Sequence, residues 1–119
     1  MTFGFVWLNK GWYTEALRAF HASGGPPPIK ELTDAGDRCV AKNYYSSAIA
    51  LYHAAGDIKQ LIDCANACLA RGLNLEAVKA FAAAGGVNEL IAIGNKWLSQ
   101  GYHWMAAQAY AAAIRLANQ

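Results

Sequence analysis

The feature that most constrains this chain is an internal repeat of 29 residues. Residues 32–60, 61–89 and 90–118 align with one another, and residues 9–24 align with 41–56 at a shift of 32, the extra three falling at a run of prolines. A chain made almost wholly of one short unit has to bury that unit's apolar face against its neighbours. Three columns mark the repeat: Leu32, Leu61 and Leu90; Ala48, Ala77 and Ala106; Tyr52, Phe81 and Tyr110.

Each unit has the pattern of two short helices. Apolar residues recur at three- and four-residue spacing over 58–71, and Gly72 ends the pattern. A second such segment covers 74–84 and ends at Gly85-Gly86, where glycine adopts a left-handed stop at low cost. Gly24-Gly25 and Gly56-Asp57 repeat this stop. No segment alternates with the period of a strand. The sequence therefore predicts an all-α fold, a single domain over 1–119 with helix-turn-helix units at about 3–31, 32–60, 61–89 and 90–119.

Several motifs resemble the tetratricopeptide repeat. In that family the second helix carries a small residue, an aromatic four later and another small residue three after that. This spacing occurs as Ala48-Tyr52-Ala55, Ala77-Phe81-Ala84 and Ala106-Tyr110-Ala113, while Gly11, Tyr13, Glu15 and Ala16 match the turn and Leu90, Ile93 and Gly94 the first helix. The usual period is about 34 residues; the shorter form looks like the helical-hairpin arrays of coat and ciliary-transport proteins. The resemblance implies a right-handed α-solenoid whose first helices line a concave face.

The composition argues against several classes of function. Charged residues are 15% of the chain and the net charge is +2, which is too balanced to indicate a nucleic-acid partner. No apolar run is long enough for membrane insertion, and the N-terminus lacks the pattern of a signal peptide. The three cysteines are odd in number, so we expect reduced thiols rather than a disulfide framework. These features predict a cytoplasmic protein.

Catalytic and metal sites have no strong candidate. Cys64 and Cys68 lie four residues apart on one helical face, which would suit two metal ligands or a redox pair. The column of Cys68 also contains Cys39, Trp7 and Trp97, which favours interior packing instead. The histidines, His21, His53 and His103, do not stand beside a cysteine pair at zinc-finger spacing. No nucleophile elbow, phosphate-binding loop or H-E-x-x-H motif occurs. We therefore expect no enzyme activity, no metal and no cofactor.

The predicted partner site is a series of polar residues on the first helices. The candidates are Asp34, Asp37, Asp63, Asn66 and Asn95. Asparagine both donates to and accepts from a peptide backbone, and the aspartates favour a ligand that is neutral to basic on this side. An unused, solvated helix face would have the same composition. The family's clamp for a C-terminal carboxylate is disfavoured, because Thr33, Ile62 and Ile91 stand where its lysine would be.

The last helix, roughly 103–117, carries a second candidate surface. Trp104, Ala107, Ala111 and Ile114 form an apolar line separate from the inward Ala106, Tyr110 and Ala113. Such a stripe predicts self-association as a homodimer, unless Trp104 folds over it or a longer parent protein covers it. The leading prediction is a non-catalytic protein–protein interaction module; the alternative is an assembly element or an excised part of a longer coat- or transport-type solenoid.

Overall fold

The computed structural model describes residues 3–119, which form eight α-helices and no β-strand. The all-α prediction is confirmed. The helices pack in neighbouring pairs, α1 with α2, α3 with α4, α5 with α6 and α7 with α8, which is compatible with a helical repeat. No helix within 3–119 has the length and apolarity that a membrane span requires. The helices are α1 (Phe3–Asn9), α2 (Tyr13–Ser23), α3 (Ile29–Ala41), α4 (Tyr45–Ala55), α5 (Ile58–Ala70), α6 (Asn74–Ala83), α7 (Val87–Ser99) and α8 (His103–Ala117).

The helices fall into two compact units. The first ends at Asp57 and holds α1 to α4, and the second begins at Ile58 and holds α5 to α8. In the first unit α2 contacts α4, and in the second α6 contacts both α7 and α8. Within each unit the second helix of one hairpin is therefore the element that meets the next hairpin.

The predicted helix stops are present. The segments expected over 58–71 and 74–84 are α5 and α6, each correct to about one residue. Gly24, Gly56 and Gly85 all have the left-handed conformation, with φ of 71°, 70° and 73°. The connection after α2 is longer than the others because residues 24–28, which include the prolines, separate it from α3.

Each hairpin turn has the same hydrogen-bond geometry. A left-handed residue follows the first helix, and the next N–H donates to the carbonyl five residues back, as in Tyr102 to Trp97 at 2.8 Å. This is a Schellman ending, in which the two bonded residues commonly also make an apolar contact. Trp12 stacks on Trp7 in this way, with ring centroids 5.0 Å apart. The left-handed positions are Gly11, Asn43, Gly72 and Gly101.

A small residue on the first helix faces the aromatic of the second. A Cβ added to Gly94 would lie 2.7 Å from the Tyr110 ring, and one added to Gly36 would lie 2.5 Å from the Tyr52 ring. Gly4 stands in the same relation to Phe20. These distances are too short for any side chain, so glycine is needed for the two helices to approach. The third hairpin differs, because alanine occupies position 65 opposite Phe81.

Candidate functional site

Two of the predicted partner-binding residues accept a hydrogen bond from a tyrosine of their own hairpin. The Tyr52 hydroxyl donates to Asp37 Oδ1 at 2.6 Å, and the Tyr110 hydroxyl donates to Asn95 Oδ1 at 2.5 Å. In both cases the acceptor lies 15 residues before the tyrosine. The bond joins the first helix to the second, so part of the polarity of Asp37 and Asn95 serves the hairpin itself.

Asn66 occupies the same repeat position but has a different partner. The aromatic 15 residues later is Phe81, which has no hydroxyl to donate. Among the described residues no hydrogen bond engages the Asn66 side chain, and Asn66 is exposed. Its amide therefore keeps a donor pair and an acceptor for a ligand.

Asn66 lines a groove of about 550 Å³ in the second unit. We call this the amide groove, because Asn74 and Gln100 also line it. Glu89 and Lys96 give it one charge of each sign, so the groove has no net charge. Its apolar surface is provided by Ile62, Leu69, Phe81, Ala92, Ile93 and Trp97, with Tyr102 at the edge.

The other predicted residues do not join this groove. Asp34 and Asp63 are exposed and form ion pairs with Lys30 at 3.7 Å and Lys59 at 3.6 Å. Both pairs connect residues four apart on one helix and both are open to solvent, so each contributes little to stability. Asp34 and Asp37 belong to the first unit and Asp63 to the second. Of the five predicted residues, only Asn66 lines the amide groove.

Sequence reasoning missed most of the groove's polar residues. Glu89 and Lys96 stand seven residues apart on α7, with Ala92 between them and Gln100 four residues further on. Spacing of three and four residues places side chains on one helix face. The same periodicity relates Ile62, Asn66 and Leu69 on α5. The signal for these polar residues is the three- and four-residue spacing within α5 and within α7, which shows the side chains that share a helix face. The 29-residue column of Asn66 and Asn95 does not contain this signal.

The predicted self-association residues lie on the outer side of α8. Trp104 and Ile114 are 62% and 60% exposed, and Ala107 and Ala111 are exposed as well. The opposite side of the helix is buried through Ala106, Ala109, Ala112 and Ala113. Because Ala107 and Ala111 are exposed as well as Trp104, the Trp104 ring does not cover the alanine stripe.

The cysteines are buried and free. Burial raises the pKa of the Cys64 thiol to about 12, and the neighbouring Cys68 adds to this rise. Burial likewise raises the pKa of Cys68 and of Cys39. Thiols that stay protonated are poor nucleophiles and poor metal ligands, which agrees with the packing interpretation of this column.

Metal-binding side chains do not cluster in the part of the chain that the structure describes. Within residues 3–119 no three His, Cys, Asp or Glu side chains come together as a metal site would require. His21 and His53 do share an opening of about 640 Å³ in the first unit, with Phe20 and Pro27 also in its lining.

Comparison with known proteins adds no relative to this picture. No protein-family model matches the sequence, and no curated protein matches it. The functional interpretation therefore rests on the geometry of the chain itself.

Proposed function

We propose that this protein is a non-catalytic protein–protein interaction module that binds an extended peptide segment of its partner in the amide groove. The observation that carries the proposal is the free amide of Asn66, which lies beside Asn74 and Gln100 over an apolar floor. On this proposal the hairpins stack as a right-handed α-solenoid of the tetratricopeptide type, with the first helices forming a concave face. No cofactor takes part.

The chemistry of the groove suits a peptide main chain. An extended peptide presents alternating N–H and C=O groups, and each primary amide can donate to one and accept from another. Glu89 and Lys96 can satisfy a polar side chain of either sign, while Phe81 and Trp97 receive an apolar one. Small numbers of polar groups over an apolar surface are typical of ligand sites.

Separately from the peptide in the amide groove, a partner segment that approaches the aspartates of α3 in the first unit is proposed to be neutral to basic. Helix α3 carries Glu31, Asp34 and Asp37 against Lys30 and Arg38, so its acidic charge is in excess. Asp37 retains its exposed carboxylate while it accepts the Tyr52 hydroxyl. Complementary charge would steer basic segments toward this helix, and salt would weaken the effect. We place the protein in the cytoplasm, where its three free thiols stay reduced.

Peptide selection against the whole chain tests this function. A displayed library of random peptides would be enriched on the protein, and the winners measured by calorimetry against wild type, Asn66→Ala and Asn95→Ala. Asn95→Ala is the matched control, because it removes the same side chain from the equivalent position outside the groove. We expect Asn66→Ala to weaken binding about tenfold and Asn95→Ala by less than about twofold. Equal losses in both variants, or no enriched peptide, would contradict the proposal.

A second candidate function is favoured by the exposed side of α8. As an assembly element, the protein would associate with another copy through Trp104, Ala107, Ala111 and Ile114, or would pack there within a longer coat- or transport-type array. Sedimentation over a hundredfold range of concentration separates the two functions. A mass that doubles, and that Ala111→Glu returns to the monomer value, supports the assembly element.

A further inference from the structure

A second opening in the second unit lies at the hairpin turns and shares Asn74 and Tyr102 with the lining of the amide groove. It has a volume of about 720 Å³ and lies between the turn that joins α5 to α6 and the turn that joins α7 to α8. We call it the turn slot. The side chains used below are Leu73, Glu76, Tyr102, His103, Trp104 and Met105.

The aromatic rings of the turn slot are held open to solvent by the backbone. Tyr102 is 51% exposed and Trp104 62%. The Schellman bond from the Tyr102 N–H to Trp97 fixes Tyr102 at the start of α8, and Trp104 follows in the first turn of that helix. Below them, the Asn74 side-chain amide donates to Met105 Sδ at 3.0 Å and ties the two turns together. Both rings thus extend from backbone positions that lie beside these hydrogen bonds.

The lining of the turn slot contains one carboxylate, that of Glu76, and one histidine, His103. Glu76 is the one acidic residue among its lining residues, which include no lysine or arginine. No ion pair of the described chain engages the Glu76 carboxylate. Glu76 is half-buried, and its charge raises the pKa of the Cys68 thiol behind it. A partly desolvated carboxylate without a protein cation attracts one from outside.

We infer that the turn slot binds an arginine or lysine side chain of a partner protein, with the cation over the Trp104 and Tyr102 rings and paired with Glu76. Tryptophan is the best aromatic acceptor for a cation, and the apolar stem of the ligand would lie along Leu73. The second hairpin gives a contrast, because Ser46 stands at the position of Trp104 and Ser47 at that of Glu76. The first hairpin keeps an acidic residue at the position of Glu76, as Glu15, so it is the Trp104 ring that is specific to the second unit.

The direct test is an NMR titration of the ¹⁵N-labelled whole chain. The probe is acetyl-arginine methylamide, and the matched control is acetyl-citrulline methylamide, which has the same shape without the charge. We expect the Trp104 indole N–H to shift with a dissociation constant on the order of millimolar for arginine, and at least about tenfold weaker for citrulline. Binding of the two probes with equal strength would overturn the inference, as would an unmoved Trp104 signal.

Variants of the turn slot complete the test. Glu76→Gln should weaken arginine binding about fivefold and leave citrulline unchanged, whereas Glu89→Gln, which removes a carboxylate of the amide groove, should change neither. Trp104→Ser copies the second hairpin and should abolish binding without changing the urea midpoint by much. If a second copy covers Trp104, the mass will rise with concentration and the arginine probe will not bind. This result would overturn the inference. It would not affect the proposal that the amide groove binds a peptide, which has its own test. Tighter binding of acetyl-proline methylamide than of the arginine probe would also overturn it.

Discussion

The third and fourth hairpins have the same plan and use the same asparagine for different purposes. Asn95 in the fourth accepts the Tyr110 hydroxyl, whereas Asn66 in the third faces Phe81 and has no bond of this kind. One hydroxyl therefore separates an asparagine that joins two helices from one that is available to a ligand. In this chain the residue that marks the proposed binding groove is the asparagine without a tyrosine hydroxyl as its partner.

The two hairpins also differ in how their helices approach. Gly94 lets the Tyr110 ring approach the α7 backbone closely, but at the equivalent position of α5 Ala65 carries a methyl group, and the equivalent aromatic is Phe81. The interior column changes with them, since Cys64 and Cys68 replace Ile93 and Trp97. The fourth hairpin thus has a close ring contact and a tyrosine hydrogen bond between its helices, and in the third the buried Phe81 provides apolar packing without that bond.

The largest effect should come from removing the aromatic of the third hairpin. Phe81 is 4% exposed, and Phe81→Ala should cost about 3–5 kcal/mol of the free energy of unfolding, because it loses buried area and leaves a cavity. Urea denaturation measures this cost. Ile114→Ala, at an exposed position, should stay within about 0.5 kcal/mol. A loss below about 1 kcal/mol for Phe81→Ala would show that the third hairpin does not depend on apolar packing.

The difference in helix approach can be tested by exchanging the small residues. Gly94→Ala should destabilise the protein by about 1–3 kcal/mol, because its Cβ meets the Tyr110 ring at 2.7 Å and this outweighs the better helix propensity of alanine. Ala65→Gly should cost about 1–2 kcal/mol, more than the roughly 1 kcal/mol of the same change at the exposed Ala107, because a buried methyl group is lost as well. Thermal or urea unfolding gives both values. A stabilising Gly94→Ala would mean that the two hairpins approach alike.

Much of the fold could be predicted from the sequence, because the signals are local. The spacing of apolar residues and the glycines at 24, 56, 72 and 85 determine helices and stops within a few residues of themselves. The hydrogen bonds of Tyr52 and Tyr110 connect positions 15 apart and need the hairpin's three-dimensional register. The amide groove could be predicted only in part. Asn66 stands in a repeat column that the sequence shows, whereas Gln100 reaches the groove from the turn before α8, and this depends on the fold.

A smaller effect should follow from moving the hydroxyl between the two hairpins. Tyr110→Phe should cost about 0.5–1.5 kcal/mol, because it removes the bond to Asn95. Phe81→Tyr should stabilise the protein by up to about 1 kcal/mol relative to wild type, because the new hydroxyl can donate to Asn66. The same bond would occupy Asn66 and should therefore weaken peptide binding in the amide groove. Urea midpoints and calorimetry with a selected peptide report the two results. If Phe81→Tyr left both stability and affinity unchanged, the missing hydroxyl would not be what frees Asn66.

The smallest effect at neutral pH concerns the cysteines that distinguish the third hairpin. The ordinary pKa of a thiol is 9.0, and burial raises the pKa of Cys64 to about 12, so the folded state holds this proton more tightly than the unfolded state. The resulting contribution to stability is complete below pH 9 and is lost as the pH rises toward 12. Urea midpoints measured across this range should fall less steeply for Cys64→Val than for wild type, and the slope that remains includes Cys39 and Cys68, whose pKa burial also raises. Ile93→Val, the matched change in the fourth hairpin, should leave the slope of the wild type intact. Parallel slopes for Cys64→Val and wild type would place the Cys64 thiol in contact with water and remove this difference between the hairpins.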